Sequence, residues 1–188
     1  MLTAAAFPRT RWGIIALVTL AYWGLLAYQY THGGVTGHSF LARADMPTIS
    51  NWWGGLTLPL VAYGLSSILQ RRLRAFGTNA AHADAALRQA TAGFVGATLY
   101  GAAMAIGFTT GHEEVSSFLF TALPLVGLVL PVFRAEYLLG FIAALSMVFG
   151  GVLPLIIATG VATMSFVLHA TIRRGVRWML ARRASSPT

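Results

Sequence analysis

The chain alternates between long apolar runs and short polar intervals. A bilayer span needs about 20 mostly apolar residues at ~1.5 Å rise each. Six runs meet or approach that length and predict helices at about 12–30, 52–70, 91–109, 116–133, 137–149 and 154–172. Between them lie a polar loop over 31–51, a link over 71–90 and a tail over 173–188. The pattern predicts an all-α fold, a polytopic bundle of six transmembrane helices forming a single membrane domain.

Local signals refine these boundaries. Asn79 stands where a helix cap belongs, so the third helix is expected to start outside the bilayer and enter it near Thr91. Gly93, Ala97, Gly101 and Ala105 recur every four residues on that helix, a spacing that lets a neighbouring backbone come close. This makes the third helix the expected centre of the bundle. Pro59 and Pro124 fall inside predicted helices, Gly150-Gly151 breaks the last hairpin, and Pro154 suits the first turn of the sixth helix. The fifth run is short for a span, so a tilted or re-entrant final pair is the alternative geometry. The tail is expected to lie as a helix on the surface.

Composition strengthens the membrane reading. Hydrophobic residues make up 56% of the 188 and charged residues 10%, where a globular domain carries about 25% charged. The net charge of +8 comes from Arg without Lys. These Arg residues flank apolar runs instead of forming a soluble basic face, which argues against nucleic acid as a partner. With six spans, Arg43 alone falls on one side and the remaining Arg on the other. The Arg-rich side is then cytoplasmic, as are both termini. Anionic lipid headgroups are the expected partners of the tail from Arg173 to Arg183. Arg9 and Arg11 precede a long run with no cleavage signal before Tyr28, so the first helix is read as retained. Without a transit peptide, a bacterial inner membrane is the expected location. Cysteine is absent, which excludes disulfides and thiolate chemistry.

The extracytoplasmic side then collects His32, His38, Arg43, Asp45, His112, Glu113 and Glu114. Imidazole and carboxylate together can bind a divalent metal or move protons, so His32, His38, His112 and Glu113 are the candidate metal ligands. No H-x-x-x-H or H-E-x-x-H places two ligands on one helix face. Gly33, Gly34 and Gly37 permit a tight fold-back, which would let the loop lie over the helix mouth. Ser50 and Asn51 suit a cap for the second helix, and Trp52 and Trp53 suit the headgroup zone. His169 is the one ionisable group expected within a span.

Ser165 and His169 have the Ser-x-x-x-His spacing seen in ceramidase-like membrane hydrolases. The later His-x-x-x-His pair of that family has no counterpart. Small six-helix binding subunits of vitamin transporters are similar in size and span count only. Neither similarity assigns a family.

The expected function is that of a multi-pass membrane protein binding a small or lipid-like ligand at its extracytoplasmic face, as a transport component or accessory subunit. His32, His38, Asp45, Asn51, Trp52, Trp53, His112 and Glu113 would line the site. One alternative is a metal-dependent hydrolase or transferase using the same His and acidic residues. Another is a structural subunit assembled with a membrane partner or with copies of itself.

Overall fold

The computed structural model describes residues 3–35, 37–39 and 48–184; the side chains of residues 38, 39, 48, 49 and 176–184 lie outside that description. Among the described residues six helices carry the fold: α1 Phe7–Thr31, α2 Trp52–Arg74, α3 Ala80–Thr109, α4 Glu113–Val129, α5 Ala135–Phe149 and α6 Val152–Ala184. Three of them, α1, α3 and α6, are long and apolar enough to cross a membrane. At 15 residues α5 reaches roughly 22 Å, short of a ~30 Å hydrocarbon core.

The interval between α1 and α2 differs from the expected plain loop. Residues Gly37–Ser39 (β1) and Thr48–Ser50 (β2) pair as an antiparallel ribbon, with His38 opposite Ile49. Gly33 and Gly34 take φ of 111° and 102° to turn the chain out of α1, whereas Gly37 extends into the ribbon. The α6 helix also runs further than expected. It continues without a break through Arg173 and Arg174 to Ala184, so the tail begins as an extension of α6.

The two ends of the bundle follow from contacts between elements. At one end Phe7, Leu73, Ala86 and Leu87 form a small apolar cluster, joining the start of α1, the end of α2 and the start of α3. Asp84 accepts the Ala4 amide there at 2.7 Å, and Arg72 of α2 pairs with Glu136 at the start of α5 at 2.9 Å. At the opposite end the Phe108 ring meets Phe149, and Asn51 lies against Gly150. The arginine clusters at 71–74 and 88 thus belong to the first end, and His32, His112 and Glu113 to the second.

Helix α3 packs most extensively against α5, and the small-residue stripe explains how. The Gly93 surface meets Tyr137 and Glu136, while Gly101 lies against the Phe141 carbonyl and Ala144. Gly140 of α5 answers from the other side: a Cβ there would collide with the Phe94 carbonyl of α3. Side chains wider than hydrogen at these points would push the two backbones apart. Tyr22, Leu58, Met104, Ile142 and Leu145 complete the main core.

The outward faces are apolar. Leu20 is 70% exposed, Phe118 72% and Val129 75%. A water-soluble monomer rarely shows so broad an apolar surface, and hydrocarbon is the environment that accepts it. The chain is therefore a membrane protein.

Candidate functional site

The residues singled out from the sequence divide into a packed group and an exposed group. Asn51 is 3% exposed and precedes the first turn of α2. Its side chain does not cap that helix, contrary to expectation. The Asn51 Nδ2 reaches Gln29 Oε1 at 3.4 Å, its carbonyl accepts the Tyr22 hydroxyl at 3.1 Å, and its Oδ1 occupies the space a Cβ on Gly150 would need. Asn51 thus joins α1, α2 and the α5–α6 turn. The Ser50 hydroxyl, one residue before the cap position, accepts the Trp52 amide at 3.4 Å.

Trp52 and Trp53 point away from the core, 54% and 60% exposed, with Trp52 edge-on to Tyr30. That placement fits a ring at the headgroup level better than a ligand wall. His32 is exposed at the end of α1, stacked on Tyr28 at 4.1 Å, with Nδ1 3.0 Å from the Tyr28 carbonyl. His112 is exposed before α4, its Nδ1 3.0 Å from Thr110 Oγ1, and Glu113 and Glu114 are exposed in the first turn. Asp45 and Arg43, together with the side chain of His38, lie outside the described residues. Among the described residues no three His, Asp or Glu side chains gather as a metal site would require.

The structure instead opens a cavity of about 380 Å³ among α3, α4, α5 and α6, in the half of the bundle nearer the arginine clusters. Its cause is a splayed helix pair. Near one end α3 and α4 are pinned together: Ser116 donates to the Met104 carbonyl at 2.7 Å and Tyr100 to the Leu119 carbonyl at 2.6 Å. Gly107 leaves room for this approach, beside the His112 carbonyl and Val115. Towards its other end α4 leans on α6. Gly127 faces Val161 and Met164, and Ser165 donates to the Leu130 carbonyl at 3.2 Å. Leu130 is extended because Pro131 follows it, so α4 stops at Val129, earlier than the sequence pattern indicates.

The wedge between α3 and α4 is therefore empty of side chains. Its α3 wall carries Gln89, Gly93, Gly96 and Tyr100, and its α4 wall Leu123 and Val126. Tyr137 and Phe141 of α5 and Ala158 and Val161 of α6 form the back. Gln89, Ala92 and Gly96 are exposed, so the cavity opens sideways between the two helices. The lining is apolar but for Gln89, Tyr100 and Tyr137, and the Tyr100 hydroxyl is already committed to Leu119.

Two charged residues are buried among the described residues. Glu136 is 4% exposed and bonded to Arg72. Arg11 is 8% exposed; its guanidinium bonds Ser67 and Gln70 and lies 4.8 Å from the Trp12 ring and 5.3 Å from the Tyr63 ring. A signal was present in the polar positions Ser67 and Gln70, about one turn apart on a face of α2. The Ser165–His169 pair is a local arrangement: the His169 Nδ1 lies 2.8 Å from the Ser165 carbonyl and 3.5 Å from its hydroxyl.

Comparison with models of protein families, with curated proteins and with solved structures finds no match to this chain.

Proposed function

We propose that this protein is a multi-pass membrane protein that binds a lipid-like ligand in the α3–α6 cavity, as a transport component or accessory subunit. The observation that carries the reading is the lateral opening between α3 and α4, backed by an apolar chamber of about 380 Å³. That volume lies in the range of small-ligand pockets, about 300–1,000 Å³. An opening on the side of a bundle is reached from the bilayer, so the ligand is one that partitions there. On this reading the ligand sits among the helices and away from the exposed His32 and His112 at the arginine-poor end.

All six helices then cross or enter the bilayer, with α5 tilted or re-entrant against α3. The Arg-rich end faces the cytoplasm, where arginine meets anionic headgroups at roughly 1 kcal/mol each near the surface. Both termini are on that side, and a bacterial inner membrane is the proposed setting. A partner membrane subunit would dock on the exposed helix faces; nucleic acid is not a proposed partner.

Filling the cavity tests the reading. A Cβ on Gly96 meets nothing within 4 Å, so Gly96→Phe projects a ring into open space. Detergent-purified wild type should retain a co-purifying lipid or amphiphile in native mass spectrometry. The Gly96→Phe variant should lose it at an unchanged melting temperature. Equal retention by both would refute the cavity as the binding site.

A further inference from the structure

The cavity has one polar end, built by two side chains that line it. Gln89 and Gly93 stand one turn apart on the same face of α3, and both border the chamber. Tyr137, in the first turn of α5, lays the hydroxyl-bearing end of its ring on Gly93: a Cβ there would sit 3.1 Å from the Tyr137 Cζ. The bare backbone of Gly93 thus brings the phenol beside the turn of α3 that carries Gln89. Among the described residues neither the Tyr137 hydroxyl nor the Gln89 amide has a hydrogen-bond partner, and neither is sealed from solvent. The remaining polar group of the wall, the Tyr100 hydroxyl, already donates to the Leu119 carbonyl. No Arg, His, Asp or Glu side chain lines the chamber, and Glu136, next to Tyr137, is paired with Arg72. The wall beyond this end, with Leu123, Phe141, Ala158 and Val161, is apolar.

We propose that the cavity selects an uncharged amphiphile with a carbonyl head, which accepts hydrogen bonds from Tyr137 and Gln89 while its hydrocarbon part fills the apolar remainder. The inference rests on the cavity being the ligand site and adds the chemical class of the ligand. A phenol O–H and an amide N–H at one end of a chamber offer two donors to one oxygen. An ester carbonyl and a quinone carbonyl share that chemistry. An anionic head meets no counter-charge in the wall, and an unpaired ion in apolar surroundings costs far more than a neutral dipole that finds its donors. A volume of about 380 Å³ lies near the small end of ligand pockets, about 300–1,000 Å³, which suits one chain and its head.

The test uses the full-length protein, delipidated in detergent, and equilibrium binding of radiolabelled probes corrected for their partition into empty micelles. Four probes share one chain length: a fatty acid methyl ester, an alkyl quinone, an ionised fatty acid and a chloroalkane that accepts no strong hydrogen bond. Wild type should bind the ester or the quinone about tenfold or more tighter than the chloroalkane and the fatty acid, the gain expected from two neutral hydrogen bonds. Whichever carbonyl probe binds tighter identifies the head as acyl ester or quinone. Tyr137→Phe and Gln89→Leu should each weaken that probe about fivefold and leave the chloroalkane unchanged, and the double variant should erase the discrimination. Tighter binding of the fatty acid than of either carbonyl probe would overturn the uncharged head and leave the cavity reading standing. Equal binding of the carbonyl probes and the chloroalkane would overturn the polar end in the same way. Discrimination that persists in the double variant would overturn the role of Tyr137 and Gln89. Binding of no probe, or binding that Gly96→Phe leaves untouched, would overturn both readings. Should Tyr137→Phe fail to fold, Gln89→Leu on the exposed face of α3 carries the comparison, and an unchanged ratio of ester or quinone to chloroalkane in that variant would count against the proposal.

Discussion

The Tyr22 hydroxyl donates to the Asn51 carbonyl at 3.1 Å, tying the middle of α1 to the entrance of α2 across 29 residues of sequence. Tyr22 is fully buried, and its ring fills the space beside Gly54 that any Cβ would need. The same Asn51 lies against Gly150, whose φ of 73° turns α5 back into α6. One tyrosine and one asparagine therefore hold α1, the entrance of α2 and the α5–α6 turn together at the arginine-poor end of the bundle.

Removing only the hydroxyl in Tyr22→Phe should cost about 1 kcal/mol, because the Asn51 carbonyl keeps the Gly54 amide at 2.9 Å. Tyr22→Ala should cost roughly 3–5 kcal/mol through the void it leaves. Thermal shift in detergent, comparing the two variants, reads the difference. Equal losses would show that packing contributes little at this junction.

The Arg72–Glu136 pair joins α2 to α5 with a carboxylate side chain only 2% exposed. Arg72→Ala leaves that carboxylate without its partner and should destabilise by on the order of 3 kcal/mol. The double variant Arg72→Met with Glu136→Leu should recover much of the loss, because no buried charge remains. Denaturant titration of the single and double variants checks the sign of the coupling.

Two glycines, Gly140 on the α3–α5 face and Gly96 at the cavity mouth, make opposite predictions. Gly140→Ala forces a methyl against the Phe94 carbonyl and should cost about 1–3 kcal/mol. Gly96→Ala meets open space and should stabilise its helix by up to about 1 kcal/mol. A melting-temperature comparison distinguishes them, and similar shifts in both would argue against close α3–α5 packing.

Because the chain contains no cysteine, single cysteines report orientation cleanly. Thr78→Cys lies in the exposed turn before α3 and Glu114→Cys in the exposed first turn of α4, near opposite ends of α3. In intact cells an impermeant thiol reagent should label position 114 and spare position 78 until the membrane is opened. The reverse pattern would place the arginine clusters outside and invert the proposed topology.

Much of the helical framework was legible in the chain. Runs of apolar residues, the cap at Asn79 and the break at Gly150-Gly151 act over a few residues, so local chemistry marks them. The Asn79 side chain does accept the His82 amide at 3.2 Å. The small-residue stripe of α3 also announced a close partner, although not that Gly140 of α5 would meet it. The ribbon between α1 and α2 was not legible, since its strands are three residues each and carry no alternating pattern.

The sequence by itself determined that this is a membrane protein rich in helices, with its arginines gathered outside the apolar runs, because composition and hydropathy record the solvent a chain is built for. Only the tertiary structure decided where a ligand has room. The cavity arises because α4 is pinned to α3 at Ser116 and Tyr100 and drawn to α6 at Gly127 and Ser165, and the gap between those attachments has no residue of its own.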